Sequence, residues 1–386
     1  MKAIPSTETV TIGVPVYRGE LFIEETLRSI QMQTHQDIEV IISLDGPQPE
    51  AEELCEPFLK DPRFRLSIQP KRLGWVGNIN WLMSQVETPY WCYHQQDDLI
   101  DARYIEVLVD YARQTPQAAI VYCDLLAFGT QNRKGAHPSV TGSAAARQYT
   151  LLGKYRGGLP FRGLTRVEAL RYAGEIRPNE VENFGAEVTW IAALARWGEL
   201  RRVPSELYRK RFHAENEHKK WFSFSDEEFA RAIMVHCADM LEQAMLVQAT
   251  RQERRLMWLA AVGRLFARRT ASSYLRLASW SSAEYVSLLD AFVEHVHLAK
   301  GMDIPGLLEA NWKDIQQWTR RFYYLPSEGN GGKLSGRGRW FKLSNLWRVH
   351  APWNTLGLYA KRKSLAHSNL ARAYARTERR WLGSVR

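Results

Sequence analysis

Three short runs bring together residue types able to do chemistry: Pro15-Val16-Tyr17, Asp45-Gly46 and Gln95-Gln96-Asp97-Asp98. Each follows a stretch that reads as a strand. Carboxylate oxygens suit a hard cation such as Mg2+ or Mn2+, which keeps waters or phosphate oxygens beside one or two protein ligands. The blander alternative is that Asp97 and Asp98 cap the turn after them. Further along, Glu187 lies in a helical segment, with Glu180 and Glu182 close by. Arg211-Phe212-His213 follows a later strand-like segment.

The elements that must position these residues alternate in type. Residues 10–16, 38–44, 63–68, 90–94 and 118–126 read as strands, several of them continuous apolar runs. Residues 20–33, 50–59 and 74–86 read as helices, and Asp101 can cap another ending at Gln114. This alternation predicts an α/β fold, a mostly parallel sheet with helices on both faces. Ligands of such sheets bind beyond the carboxyl ends of the strands, near a switch in strand order. That rule selects Tyr17, Asp45 and the run Gln95 to Asp98. Residues 129–163 read as loop, 166–173 and 184–196 as helices and 200–208 as a strand. Residues 226–300 read as helical throughout.

The order and spacing of these motifs resemble the family 2 glycosyltransferases, which have the GT-A (Rossmann-like) fold. The resemblance runs over about residues 8–215. It rests on "VTIGVPVYRGELFIEETLRSIQMQTHQDIEVIISLDG", on "LGWVGNINWLMSQVETPYWCYHQQDD" and on "NFGAEVTWIAALARWGELRRVPSELYRKRFH". It implies transfer of a sugar from a nucleotide-diphosphate donor to an acceptor hydroxyl, with inversion at the anomeric carbon. By the same resemblance Pro15 and Tyr17 line the base and ribose pocket, Asp45 accepts from base or ribose, and Asn80 lies near the donor. The family's Asp-x-Asp falls on Gln95-Gln96-Asp97, so its first aspartate is Gln95 here, while Asp98 matches the acidic residue that follows. Mg2+ or Mn2+ is implied at Asp97, with His213 approaching the metal or diphosphate. Glu187 falls on the catalytic base, after Ala186 in place of a glutamate. Lys71 and Arg72 could face phosphates, and His94 reads as a pocket wall or core residue. The implied setting is synthesis of a bacterial surface glycan: O-antigen, capsule or exopolysaccharide. The rivals are a nucleotidyltransferase, for which Tyr17-Arg18-Gly19-Glu20 is a poor phosphate loop, and a non-catalytic glycan- or membrane-binding protein on a degenerate transferase fold.

The 386 residues suggest two domains, at 1–220 and at 221–386, the second helical and basic. Net charge is +10, but residues 1–225 carry −1 and residues 226–386 carry +11. From Gly331 onward there are 13 basic residues and one acid, Glu378. Apolar and arginine residues mix at 258–269 and 360–380, and tryptophans sit among basic residues at 340–348, which suits a helical cap, an anionic membrane surface or a lipid-linked acceptor. No nucleic-acid motif is present, and none is expected as a partner. The run of glycines from Gly329 to Gly338 reads as a linker. No signal-peptide-like or spanning run occurs, so the expected place is the cytoplasm or the membrane periphery. Cys55, Cys92, Cys123 and Cys237 form no CxxC pair and read as buried free thiols.

Overall fold

The computed structural model describes residues 8–153, 157–214, 216, 220–221, 223–265 and 282–302. The glycine run and the basic, tryptophan-rich stretches after residue 330 lie outside the described residues. The chain divides into two compact units. The first comprises residues up to 141, 157–178 and 185–216; the second comprises 142–156, 179–184 and the rest.

Alternating β-branched and apolar residues form the strands of the first unit. β1 (Val10–Val16) and β2 (Ile38–Leu44) have the bounds expected from sequence. β3 (Phe64–Ile68), β4 (Tyr90–Tyr93), β5 (Leu99–Ile100), β6 (Ala118–Gly129), β7 (Arg133–Gly135), β8 (Leu164–Arg166) and β9 (Glu199–Phe212) complete one sheet. Its order is β3-β2-β1-β4-β8-β6-β9-β5, with β7 paired to β6. β1 runs parallel to β2 and β4, β2 to β3, and β6 to β9, whereas β8 runs antiparallel to both β4 and β6. β1, β2, β3, β4, β6 and β9 therefore all point one way. The chain leaves β1 toward β2 on one side and places β4 on the other. The carboxyl ends of β1 and β4 thus flank the switch in strand order, where a crevice opens in such sheets.

α1 (Ile23–Gln31), α2 (Pro49–Cys55), α3 (Gly74–Ser84), α4 (Tyr104–Gln114), α6 (Val167–Ala173) and α7 (Ala186–Trp197) belong to this unit. The buried faces of α1 and α4, including Ile23, Leu27, Ile30, Ile105 and Leu108, pack into one core with Val10, Ile12, Val14, Val40 and Ile42. Close packing also fixes Gly13. A Cβ there would stand 2.0 Å from the ring of the buried Trp91.

The second unit holds α5 (Ala144–Gly153), α8 (Asp226–Met245), α9 (Arg251–Leu265) and α10 (Ser282–Lys300). α5 corrects the loop expected over 129–163. Its alanine-rich sequence favours helix, and Ser143 Oγ accepts from Ala146 N at 3.2 Å. α8 begins with a capping box, Ser225 and Glu228 bonding each other's backbone N–H. Of the apolar and basic stretch at 258–269, Trp258, Ala261, Val262 and Leu265 are buried in α9. Arg264 is buried too and donates to the carbonyls of Leu151 and Leu152 at 3.1 and 3.3 Å and meets His236 at 2.9 Å. The described part of this stretch therefore serves packing, the helical-cap alternative among those its sequence left open. All four cysteines are buried and free. No described helix is long and apolar enough to cross a membrane.

Candidate active site

The runs ending at Tyr17, Asp45, Asp98 and His213 meet at the carboxyl rim of the sheet. β1 delivers Tyr17, and the middle residue of the later motif holds it there. Gln96 Oε1 accepts from Tyr17 N at 2.7 Å, while Gln96 Nε2 donates to Tyr17 O at 2.9 Å. Thr26 of α1 supports the same loop by donating its hydroxyl to the carbonyls of Gln96 and Asp98. Pro15, at the end of β1, is half-buried. The guanidinium of Arg72 lies 4.0 Å from the Tyr17 ring centroid, a cation–π contact. Arg72 Nε also lies 3.9 Å from Asp45 Oδ2. Lys71 beside it is exposed.

Asp45 is buried at the end of β2. Its Oδ1 accepts from Leu73 N at 2.5 Å and its Oδ2 from Gly74 N at 3.0 Å, so it caps α3. Asn80, expected beside the donor, holds its amide against the backbone of Ile176, donating to the carbonyl and accepting from the N–H, both at 2.9 Å. Its role in this geometry is to fix the loop after α6.

At the end of β4, Asp97 Oδ2 lies 2.7 Å from His213 Nε2 and accepts from Asn216 Nδ2 at 3.0 Å. Burial and the neighbouring Asp98 push its pKa up. Asp98 is turned inward. Its Oδ2 accepts from Tyr208 Oη at 2.8 Å and its Oδ1 from Arg211 N at 2.8 Å. It thereby ties the motif to β9. Gln95 Oε1 accepts from Arg162, whose Nε stands 3.5 Å from Asp98 Oδ2. Nearby tyrosines and aspartates hold the buried Arg162 guanidinium firmly protonated, against the cost of its burial. His94 is fully buried, edge-on to Tyr208, and burial lowers its pKa to about 4. It is a neutral core residue.

Glu187 occupies the first turn of α7, after Gly185, whose φ of +68° is a left-handed conformation suited to glycine. Its Oε2 is shielded from solvent and has no hydrogen-bond partner among the described residues. Burial raises its pKa, opposed by its own backbone N–H and by the charges of Arg162 and Lys210. Lys210 in turn feels Asp98, Asp97 and Glu187. Electrostatic coupling therefore links Glu187 to the motif at the end of β4. Glu180 and Glu182 are exposed, Glu180 beside Arg231 and Glu182 beside Lys220.

The residues present fit a divalent cation. Asp97 and His213 bring together one carboxylate and one imidazole, which bond each other at 2.7 Å and would exchange that bond for the ion. No cluster of three or more His, Cys, Asp or Glu occurs among the described residues. Phosphate oxygens and water would have to complete the shell.

Sequence reasoning gave Gln96 no role of its own within the run Gln95 to Asp98, and did not select Arg162, Tyr208, Lys210 or Asn216. The alternation of Tyr208, Lys210 and Phe212 along β9 could have marked one face. Arg162, in a 3₁₀ turn within a stretch read as loop, left no signal.

The fold and the rim of acidic, aromatic and basic groups define a GT-A-type α/β domain. Residues 11–171 match the family model described as glycosyl transferase family 2. Among curated proteins, the chain is 29% identical over 101 residues to the glycosyltransferase GlyA of Streptococcus pneumoniae, covering 26% of this chain and 14% of that one. It is 30% identical over 132 residues to an uncharacterized glycosyltransferase, EpsJ, of Bacillus subtilis, covering 34% and 38%. It is 32% identical over 91 residues to the teichoic acid poly(glycerol phosphate) polymerase of Staphylococcus epidermidis, covering 23% and 13%. The chain thus spans well under half the length of these relatives. Among solved structures it resembles S. aureus TarS 1-349 in complex with UDP. There the TM-score is 0.58 and the identity 13%, covering 85% of this chain and 95% of that one. The same protein with UDP-GlcNAc gives a TM-score of 0.56 at 14% identity, covering 82% and 91%.

Proposed function

We propose that this protein is an inverting glycosyltransferase that moves a sugar from a nucleotide-diphosphate donor to an acceptor hydroxyl. The observation that carries the reading is the Oε2 of Glu187, shielded from solvent and without a hydrogen-bond partner among the described residues, and electrostatically linked through Arg162 and Lys210 to Asp97 and Asp98. A carboxyl kept dry and without a partner is ready to accept a proton from a bound hydroxyl.

Tyr17, Arg72, Asp45 and Pro15 form the nucleotide end of the site, with Arg72 stacked on Tyr17. Asp97 and His213 would hold Mg2+ or Mn2+, which when bound neutralises charge on the diphosphate. Glu187 takes the proton of the acceptor hydroxyl as its oxygen attacks the anomeric carbon. The bond from that carbon to the diphosphate oxygen breaks, and its electron pair leaves with the diphosphate. Attack from the face opposite the leaving group inverts the anomeric configuration. Gln95, Asp98 and Arg162 act by holding the loop, and orientation of the two reactants lowers the barrier further. The TarS complexes with UDP and UDP-GlcNAc make uridine diphosphate sugars the first donors to try. The setting we infer is bacterial surface polysaccharide synthesis, with a glycan or lipid-linked acceptor.

The test is transfer from a panel of nucleotide sugars, with the product anomer read by NMR. Asp97→Ala is expected to abolish transfer while the protein stays folded. Retained anomeric configuration in the product would remove the inverting mechanism. Nucleotide release with no glycosidic product from any donor and acceptor would remove the transferase reading.

A further inference from the structure

We propose that Lys210 grips the leaving phosphate of the nucleotide diphosphate, a role resting on the transferase reading above. Lys210 lies on β9 between Tyr208 and Phe212, and alternation along a strand puts all three on one face. Tyr208 reaches Asp98, so Lys210 stands one step nearer the carboxyl rim. Its ammonium lies 5.2 Å from the Phe212 ring centroid and makes no hydrogen bond or ion pair with any described residue.

Its neighbours are committed elsewhere. Asp98 accepts from Tyr208 and Arg211 and faces Arg162. Asp97 Oδ2 is engaged by His213 and Asn216. Gln95 brings no charge, and its amide oxygen is taken by Arg162. Burial and the repulsion of Arg162 lower the Lys210 pKa to about 8, which leaves the amine mostly protonated at neutral pH. Two cations held close in a desolvated site repel each other, and an anion placed between them relieves both. Tyr208, its neighbour on the same face of β9, bonds Asp98, which places Lys210 beside the motif at the end of β4 and so on the diphosphate side of the reaction. A fixed cation there stabilises charge that grows on the leaving oxygen.

Calorimetry on the full chain distinguishes the outcomes. UDP, GDP, ADP, CDP and dTDP are titrated with Mn2+ and again with EDTA, and the tightest is compared with its own monophosphate. In Lys210→Met the diphosphate is expected to bind about tenfold more weakly or worse, as loss of one charge-assisted contact implies. Monophosphate affinity stays as in the wild type, and Lys210→Arg recovers part of the loss. Lys210→Gln serves the same purpose where the methionine variant does not fold. Unchanged diphosphate affinity in a folded Lys210→Met or Lys210→Gln overturns the proposal and leaves the transferase reading standing. A wild type that binds none of the five diphosphates removes that reading and this proposal together.

Discussion

Glu187 sets two expectations that pull in opposite directions. Its carboxyl must be ionised to accept a proton, and burial raises its pKa. Transfer should therefore fail on the acid side at a higher pH than an ordinary glutamate would dictate. Glu187→Gln should lower kcat by about 10²- to 10⁴-fold, the usual reach of general base catalysis, with little change in donor KM. Full turnover in this variant would move the base elsewhere. Stability should shift the other way. A carboxyl whose folded pKa lies above its unfolded value contributes stability that is complete below the unfolded pKa. That contribution is lost as pH rises through the folded pKa. The neutral amide escapes this loss, so Glu187→Gln should melt higher than wild type near neutral pH, with the gap closing in acid. A lower melting temperature near neutral pH would mean that the carboxylate sits in a stabilising ion pair. Resemblance to the family's motifs was what brought Asp97, His213 and Glu187 to notice. Arg162 and Lys210 were invisible because their importance lies in neighbours supplied by other strands, and a lone basic residue carries no such mark.

The elements tell the same story through packing. β1 and β2 were legible to the residue because each is a buried, β-branched run bounded by turn formers. β8, with three residues, was too short to show a period, yet it lies between β4 and β6. Gly13 shows how a strand's sequence serves its neighbour. A Cβ at this position would overlap the Trp91 ring, so Gly13→Ala should cost about 2–3 kcal/mol through overpacking. That lowers the melting temperature by roughly 5 °C or more; an unchanged melt would mean that Trp91 has another place to go. Asn80 offers the complementary case. Asn80→Ala strands the Ile176 N–H and should destabilise by about 1–3 kcal/mol. If its work is to anchor that loop, UDP affinity measured below the melt should stay near the wild-type value. A large loss of affinity without a loss of stability would instead put Asn80 in contact with the donor.

At the scale of the whole chain, charge and burial divide the work. Residues 1–225 are nearly neutral overall, while residues 226–386 carry +11, and that excess is concentrated after Gly331. In the described part of α9, Trp258, Val262 and Leu265 are buried, so they are not free to meet a bilayer. If this protein works on a lipid-linked acceptor, the 13 basic residues from Gly331 onward are the natural source of attraction to the membrane. Each lysine or arginine held near an anionic surface contributes about 1 kcal/mol, so even a fraction of those 13 basic residues would suffice for stable attachment. The full chain should therefore sediment with vesicles rich in anionic lipid and stay in solution with purely zwitterionic ones. Raising salt from about 0.1 M to about 1 M shortens the screening length from ~10 Å to ~3 Å and should release it. Reversing Arg337, Arg339, Lys342 and Arg348 to glutamate should weaken attachment at low salt without altering transfer to a water-soluble acceptor. Binding that ignores both lipid charge and salt would mean an apolar contact, and the excess of basic residues would then need another anionic partner.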